Sequence, residues 1–320
     1  MAENNRLNSN EVVSAPSRWK RGGWLVVEVV VFVVLMLVVI GGLYAVAGIM
    51  DAAWGLQINM GETRMDSPAA MLAEAVMAIA CIVAFDAVLR LSRVMYPQRR
   101  SSMGFALKGH GRELLAGIGV AVTLYGTGFL LTLLLGGVWI ADVSFHAGAL
   151  GQTWVLFFLV ALFEETTCRG FLLGRMMDAG MNKFVALVLS SVVFSAMHLG
   201  NPNFSVLSFV NLLLAGVLLG SAYIYTRNLW FAIALHWFWN WLQGPVLGFE
   251  VSGNNFGESL LALETTDNVL LNGGPFGFEG SLVCTVLMLI STFLVIRHYE
   301  QRKQGLGDDK ERLCAAKEGL

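Results

Sequence analysis

Charge is scarce in this sequence and cysteine scarcer. Only 14% of the 320 residues are charged while 56% are hydrophobic, and the apolar residues run in long blocks, which excludes an ordinary soluble domain. Of the four cysteines, Cys81, Cys168 and Cys284 lie in or beside apolar runs and Cys314 lies near the end of the chain. None belongs to a CxxC pair, so neither a disulfide framework nor a thiolate metal site is indicated. The closing CAAKEGL sets its cysteine too far from the terminus for a prenylation box. A net charge of -2 points to no nucleic-acid partner. There is no HExxH zinc motif, no Ser-His-Asp candidate and no repeat or inverted repeat of the kind transporters carry.

What is present reads as an all-α, polytopic membrane helix bundle. A span of roughly 30 Å of hydrocarbon needs about 20 apolar residues, and about eight segments qualify: 24–50, 68–89, 114–140, 152–175, 183–198, 206–225, 230–247 and 280–296. The fifth is the shortest and the fourth the most polar. Lys and Arg stay on the cytoplasmic side of short loops; with both termini inside, Arg64 is the one exception among 21 basic residues. Acids such as Asp51, Glu62, Asp66, Asp142, Glu250 and Glu279 then fall outside, and an odd number of spans would scramble the separation. The first block is much longer than the 7 to 15 residues typical of a signal peptide's apolar region, so it reads as an uncleaved anchor.

The chain divides into a polar, disordered cytosolic tail over residues 1–23, a membrane domain over 24–300 and a charged cytosolic tail over 301–320. A cytosolic loop is expected over 95–111, and 249–279, rich in Gly and Asn, is the longest external loop. Function therefore has to come from the bundle or its mouths, in the lipid bilayer.

An ionisable group at mid-bilayer costs roughly 2.5 to 3.5 kcal/mol on insertion scales, so each needs a partner or a purpose. Glu28 reads as interfacial, its side chain reaching the headgroups. Asp86 and Arg90, four apart, neutralise each other; Glu74 has no assigned partner. Of the five histidines, His110 and His146 lie in loops and His298 follows the last span. The deep set that remains is Glu164, Glu165 and Arg169 on the fourth helix, His198 ending the fifth, Asn211 on the sixth, and His236 with Asn240 on the seventh.

Helical geometry sorts this set. Glu165 and Arg169, four apart, share a face and form an ion pair, whereas Glu164 points about 100° away and is free for chemistry. His236 and Asn240 share a face in HWFWN, as do Phe194 and His198 in FSAMH. A carboxylate with little water around it suits a general base for water. Imidazoles can hold that water, bind a metal with the carboxylate or donate to a developing oxyanion. These residue types fit hydrolysis of an acyl bond.

The motifs EETTCR (Glu164 to Arg169), FSAMH (Phe194 to His198) and HWFWN (His236 to Asn240) resemble, in order and spacing, the EExxxR, FxxxH and HxxxN of the CPBP family. That family comprises intramembrane proteases, the type II CAAX prenyl endopeptidases and bacterial Abi proteins among them. The resemblance is best over about 152–248, and GPVLGFEVSG after the last motif looks like bacterial members; the first three helices match in hydropathy and in a GF-type start at Gly104. It implies an endopeptidase, similar to CAAX prenyl protease 2, in which Glu164 activates water with help from His198, His236 and Asn240 stabilise the oxyanion, and Glu165 with Arg169 holds the architecture. Alternatively, it implies a divalent metal such as zinc on Glu164, His198 and His236. The implied partner is a membrane-associated peptide or protein, and the implied location a bacterial plasma membrane.

Several features have plainer readings. GVLLG at 216–220 is a close-packing motif. Trp230, Trp237, Trp239 and Trp241 read as an interfacial belt and packing, and Cys168 as an ordinary small residue. A membrane regulator that has lost catalysis is the alternative function, and a proton-coupled transporter the third. Counted from the cytosolic ends at 1.5 Å per residue, Glu164 lies about 17 Å deep, His198 about 23 Å and His236 about 10 Å. A common site then requires tilted or broken helices, or boundaries several residues from those drawn.

Overall fold

The computed structural model describes residues 18–54, 67–95 and 101–318. Of the disordered tail expected over 1–23, residues 1–17 lie outside the described residues while 18–23 already belong to a helix; the loop positions Glu62, Arg64, Asp66, Arg99 and Arg100 also lie outside the described residues. In chain order the elements are α1 (Arg18–Trp54), α2 (Pro68–Met95), α3 (Gly111–Leu134), β1 (Val138–Val143) and α4 (Ala147–Glu165). Helix α4 runs through π-helical turns (Thr166–Leu173) into α5 (Gly174–Asp178). Then follow α6 (Lys183–Met197), α7 (Val206–Ser221), α8 (Tyr223–Thr226), α9 (Trp230–Trp241) with a π-helical end (Leu242–Val246), β2 (Leu261–Thr265), α10 (Val269–Asn272) and α11 (Leu282–Glu318).

The polytopic helix bundle stands, with a corrected count. Among the described residues six helical stretches are long and apolar enough to cross a membrane: Gly22–Met50, Ala69–Met95, Gly111–Leu134, Ala147–Asp178, Val206–Thr226 and Leu282–Gly305. The fifth and seventh expected spans are helices of 15 and 12 residues, or roughly 22 and 18 Å at 1.5 Å per residue. The short α9 starts inside the bundle because residues 104–106 cover its beginning. Leu229 N donates to Gly104 O at 2.9 Å, Trp230 Nε1 to Phe105 O at 3.0 Å and Asn228 Nδ2 to Ala106 O at 2.7 Å. Gly104 has φ +89°, and a Cβ there would lie 3.0 Å from Arg227 O, so the covering strand of chain depends on glycine at that point.

Two other expectations change. The third span ends at Leu134, and residues that hydropathy had placed in it form β1, which pairs antiparallel with β2 from Val138 opposite Thr265 to Val143 opposite Leu261, with an irregularity between Ile140 and Asp142. The external loop over 249–279 is thereby tied down. The charged tail expected over 301–320 continues the last helix through Glu318.

Packing runs α1 on α2, α2 on α4, α3 on α9, and α6 on α7. The GVLLG reading holds at the last of these. A Cβ on Gly216 would stand 2.7 Å from Ser191 Cβ, so the missing side chain is what lets α6 and α7 approach.

Glu28 is the clearest correction. It is buried, 1% exposed, rather than interfacial, because Arg175, also 1% exposed and expected in an inner loop, supplies a two-armed guanidinium: Nε to Oε2 at 2.8 Å and Nη2 to Oε1 at 2.5 Å. Arg175 also donates to Ser92 Oγ at 2.9 Å and Asp178 Oδ2 at 2.9 Å, which joins α1, α2 and α5 at one end of the bundle. By contrast the Asp86 and Arg90 pair, 2.5 Å apart as the spacing implies, is largely exposed. Glu28→Ala, which leaves a buried guanidinium without its partner, is expected to cost about 3–5 kcal/mol, whereas Asp86→Ala costs about 1 kcal/mol or less. Thermal unfolding in detergent compares them; equal shifts would contradict the account.

Candidate active site

The fourth helix changes its winding where its polar residues begin. Thr166 Oγ1 donates to Leu162 O at 2.6 Å and Thr167 Oγ1 to Phe163 O at 2.9 Å, so side chains compete for carbonyls the regular helix would use. The chain continues as π-helix from Thr166 to Leu173, a winding found mostly as short insertions at functional sites. Glu164 and Glu165 stand just before this change.

Glu165 is fully buried. Its Oε1 accepts from Arg169 Nη1 at 2.8 Å, the expected ion pair, and also from His236 Nδ1 at 2.8 Å. This second bond spans 71 residues of sequence and gives Glu165 a part in the site that helical spacing alone did not reveal. Arg169 is also buried; its Nη2 donates to Gly216 O at 3.2 Å and its guanidinium lies 4.4 Å from the Phe194 ring centroid. Phe194 is the support the FxxxH pattern suggests, its ring 4.9 Å from that of His198 and 5.9 Å, nearly perpendicular, from that of His236. His198 caps α6, and its Nδ1 donates to Phe194 O at 2.9 Å, leaving Nε2 as the nitrogen available to other groups.

Glu164 takes the other side of His236. Its Oε2 lies 3.9 Å from His236 Nε2, and this oxygen is buried without a hydrogen-bond partner. The two glutamates therefore bracket one imidazole, Glu165 fixing Nδ1 and Glu164 facing Nε2. Glu164 and His236 line, with His198, Asn240 and Phe194, a cavity of about 320 Å3, and Glu165 is not among the residues that line it. All seven residues singled out by the motifs thus converge, and the depth discrepancy disappears for the reasons given above: α9 starts inside the bundle, α4 starts at Ala147 and its winding changes at Thr166.

Sequence reasoning missed two acids of this cavity, Glu74 and Glu279. Glu279 is 4% exposed rather than an outer-loop charge, because Trp239 Nε1 at 2.8 Å, Ser252 N at 2.9 Å and Ser252 Oγ at 2.6 Å donate to it. The packing expected of the four tryptophans is seen: besides the bonds of Trp230 and Trp239, Trp237 Nε1 donates to Trp154 O at 2.7 Å and Trp241 Nε1 to Leu150 O at 3.0 Å. Asn211 is structural, donating to Glu279 O at 2.7 Å and Ser281 O at 2.9 Å. Cys168 is fully buried, with Met197 Sδ 3.8 Å from its Sγ, as a small packing residue would be. The repeated Trp, the Gly and the acids close to the end of 249–279 were the available signals, and none specifies a fold of the loop.

Among the described residues no three His, Cys, Asp or Glu side chains are gathered closely enough to hold a metal ion, while a catalytic zinc site takes three protein ligands. Glu164, His198 and His236 are not grouped as such a set, and the Nδ1 of each histidine is held by a protein acceptor, His198 by Phe194 O and His236 by Glu165. What the arrangement offers is a carboxylate oxygen with free hydrogen-bonding capacity, an imidazole fixed in orientation and an amide, in a cavity walled by apolar side chains.

Residues 146–242, which hold all three motifs, match the family model described as type II CAAX prenyl endopeptidase Rce1-like. The match begins within one residue of α4, ends just beyond α9 and leaves α1 to α3 and α11 outside it. No curated protein and no solved structure matches the chain. Over residues 146–242, therefore, this membrane helix bundle is similar to the Rce1-like type II CAAX prenyl endopeptidases.

Proposed function

We propose that the chain hydrolyses a peptide bond in a membrane-associated substrate by means of water activated at Glu164. The observation that carries this reading is the buried, partnerless Oε2 of Glu164 opposite His236 Nε2 at 3.9 Å. That separation is too long for a direct hydrogen bond and suits a water shared by the two groups. In the first step the water gives a proton to Glu164 as its oxygen bonds to the substrate carbonyl carbon, and the carbonyl oxygen becomes an oxyanion. His236 Nε2–H and the Asn240 amide donate to that oxyanion, which is the largest electrostatic contribution in acyl transfer. Collapse of the intermediate breaks the C–N bond, and the proton on Glu164 passes to the leaving amine. His198, in the same cavity, helps hold the water.

Glu165 is a positioning residue in this scheme. By accepting Nδ1–H it fixes which nitrogen faces the substrate and balances the positive ring that donates from Nε2, the role a buried carboxylate plays behind any catalytic imidazole. A divalent ion on Glu164, His198 and His236, the other arrangement the family resemblance implies, would require the three side chains to move into one coordination sphere.

Glu164→Gln is expected to lower cleavage of a lipid-anchored peptide by purified protein at least about 10²-fold with an unchanged elution profile and unfolding temperature, and Asn240→Ala to lower kcat by about 10² to 10³ with a smaller change in KM. Normal turnover by Glu164→Gln would sink the proposal, and rescue of a deletion phenotype by that variant would favour the regulator without catalysis. Chelation is expected to leave the rate unchanged. A rate that falls with 1,10-phenanthroline and returns with zinc would replace the glutamate-held water with a metal-bound one.

A further inference from the structure

Glu74 belongs to none of the motifs and lies on α2, outside the matched residues 146–242. It nevertheless lines the same cavity as Glu164 and His236, and the charges of Glu74 and Glu164 are close enough to act on one another. Among the described residues its carboxylate makes no hydrogen bond or ion pair. Glu279, the third acid of the cavity, differs: its two oxygens are occupied by Trp239 and Ser252. Glu74 is therefore a carboxyl group on the cavity wall with no hydrogen-bond or ion-pair partner among the described residues, and a cation entering the cavity would favour its charged form.

The residues around the cavity narrow what that partner is. Among the described residues no Lys or Arg lines it, and its walls are otherwise apolar side chains, asparagines, histidines and Ser252. A substrate carboxylate entering here would meet Glu74 and Glu164 with no cation to receive it, whereas a substrate cation would find Glu74 unoccupied. On the endopeptidase reading, on which this inference rests, Glu164 is committed to water, and Glu74 is left to the substrate. We propose that Glu74 determines specificity, selecting peptides with a lysine or arginine beside the scissile bond and rejecting those that present a carboxylate there.

Internally quenched lipopeptides in detergent, identical except for lysine, its neutral isostere norleucine, or glutamate placed in turn on each side of the cut, test this on the wild-type protein and on Glu74→Gln. The expected kcat/KM is about tenfold higher for lysine than for norleucine and lowest for glutamate, the discrimination a buried hydrogen bond to a charged group provides. In Glu74→Gln the lysine-to-norleucine ratio falls to about one, while Glu74→Asp, which keeps the charge, retains a preference for lysine; a merely structural Glu74 would change rates without changing the ratio. Peptides ending in a free carboxylate close to the cut are expected to be slower than their amides. A wild-type ratio near one, or a preference that survives in Glu74→Gln, overturns the role of Glu74 and leaves the endopeptidase reading intact. If no peptide is cut, the endopeptidase reading falls, and the same ratio is read as binding affinity by fluorescence anisotropy: an affinity preference for lysine lost in Glu74→Gln supports the role of Glu74, and equal affinities overturn it.

Discussion

The carboxylate of Glu165 is shared between the Arg169 guanidinium and the His236 imidazole, each 2.8 Å from the same oxygen, with Glu165 itself fully buried. A charge in such a place is tolerated when a counter-charge is at hand, and removing either partner leaves an uncompensated ion. The consequences spread outward from it. Arg169 reaches Gly216 O on α7 and lies over Phe194 on α6, and His236 brings in α9. One carboxylate thus holds four elements of the bundle in register and, in the same contact, turns His236 so that Nε2 faces Glu164.

The surrounding backbone serves that contact. Successive positions at the end of α4, about 100° apart, turn the neighbouring glutamates into different surroundings, Gly216 allows α7 to approach Ser191 on α6 and offers its carbonyl to Arg169, and the covering residues 104–106 set the height at which α9 begins. Far from the cavity, Glu28 and Arg175 repeat the same principle, a buried ion pair at the end of the bundle tying α1 and α2 to α5. Glu74 and Glu164, whose Oε2 has no hydrogen-bond partner, line the same cavity.

Much of this was legible before any coordinates. Long apolar blocks gave the helix bundle, and 3.6-residue periodicity gave the Glu165 and Arg169 pair, the separate direction of Glu164 and the shared face of Phe194 and His198. Those relations are local, and local relations survive translation from sequence to structure. What escaped was long-range. Glu28 looked interfacial because its partner lies 147 residues away, and Glu279 looked external because the residues that bury it, Trp239 and Ser252, come from α9 and the loop it precedes. The pairing of β1 with β2 was invisible because hydropathy alone assigns Val138, Trp139 and Ile140 to a helix. The short α6 and α9 escaped for a related reason: hydropathy marks apolar segments but says nothing of the depth at which neighbouring chain starts or stops them.

The central claim is that Glu165 acts through His236 and not independently of it. A double-mutant cycle on peptide cleavage tests it most directly, with Glu165→Gln and His236→Ala measured singly and together. The account predicts that Glu165→Gln lowers kcat in the presence of His236 and has almost no further effect once His236 is replaced. Two independent losses that multiply in the double variant would contradict it.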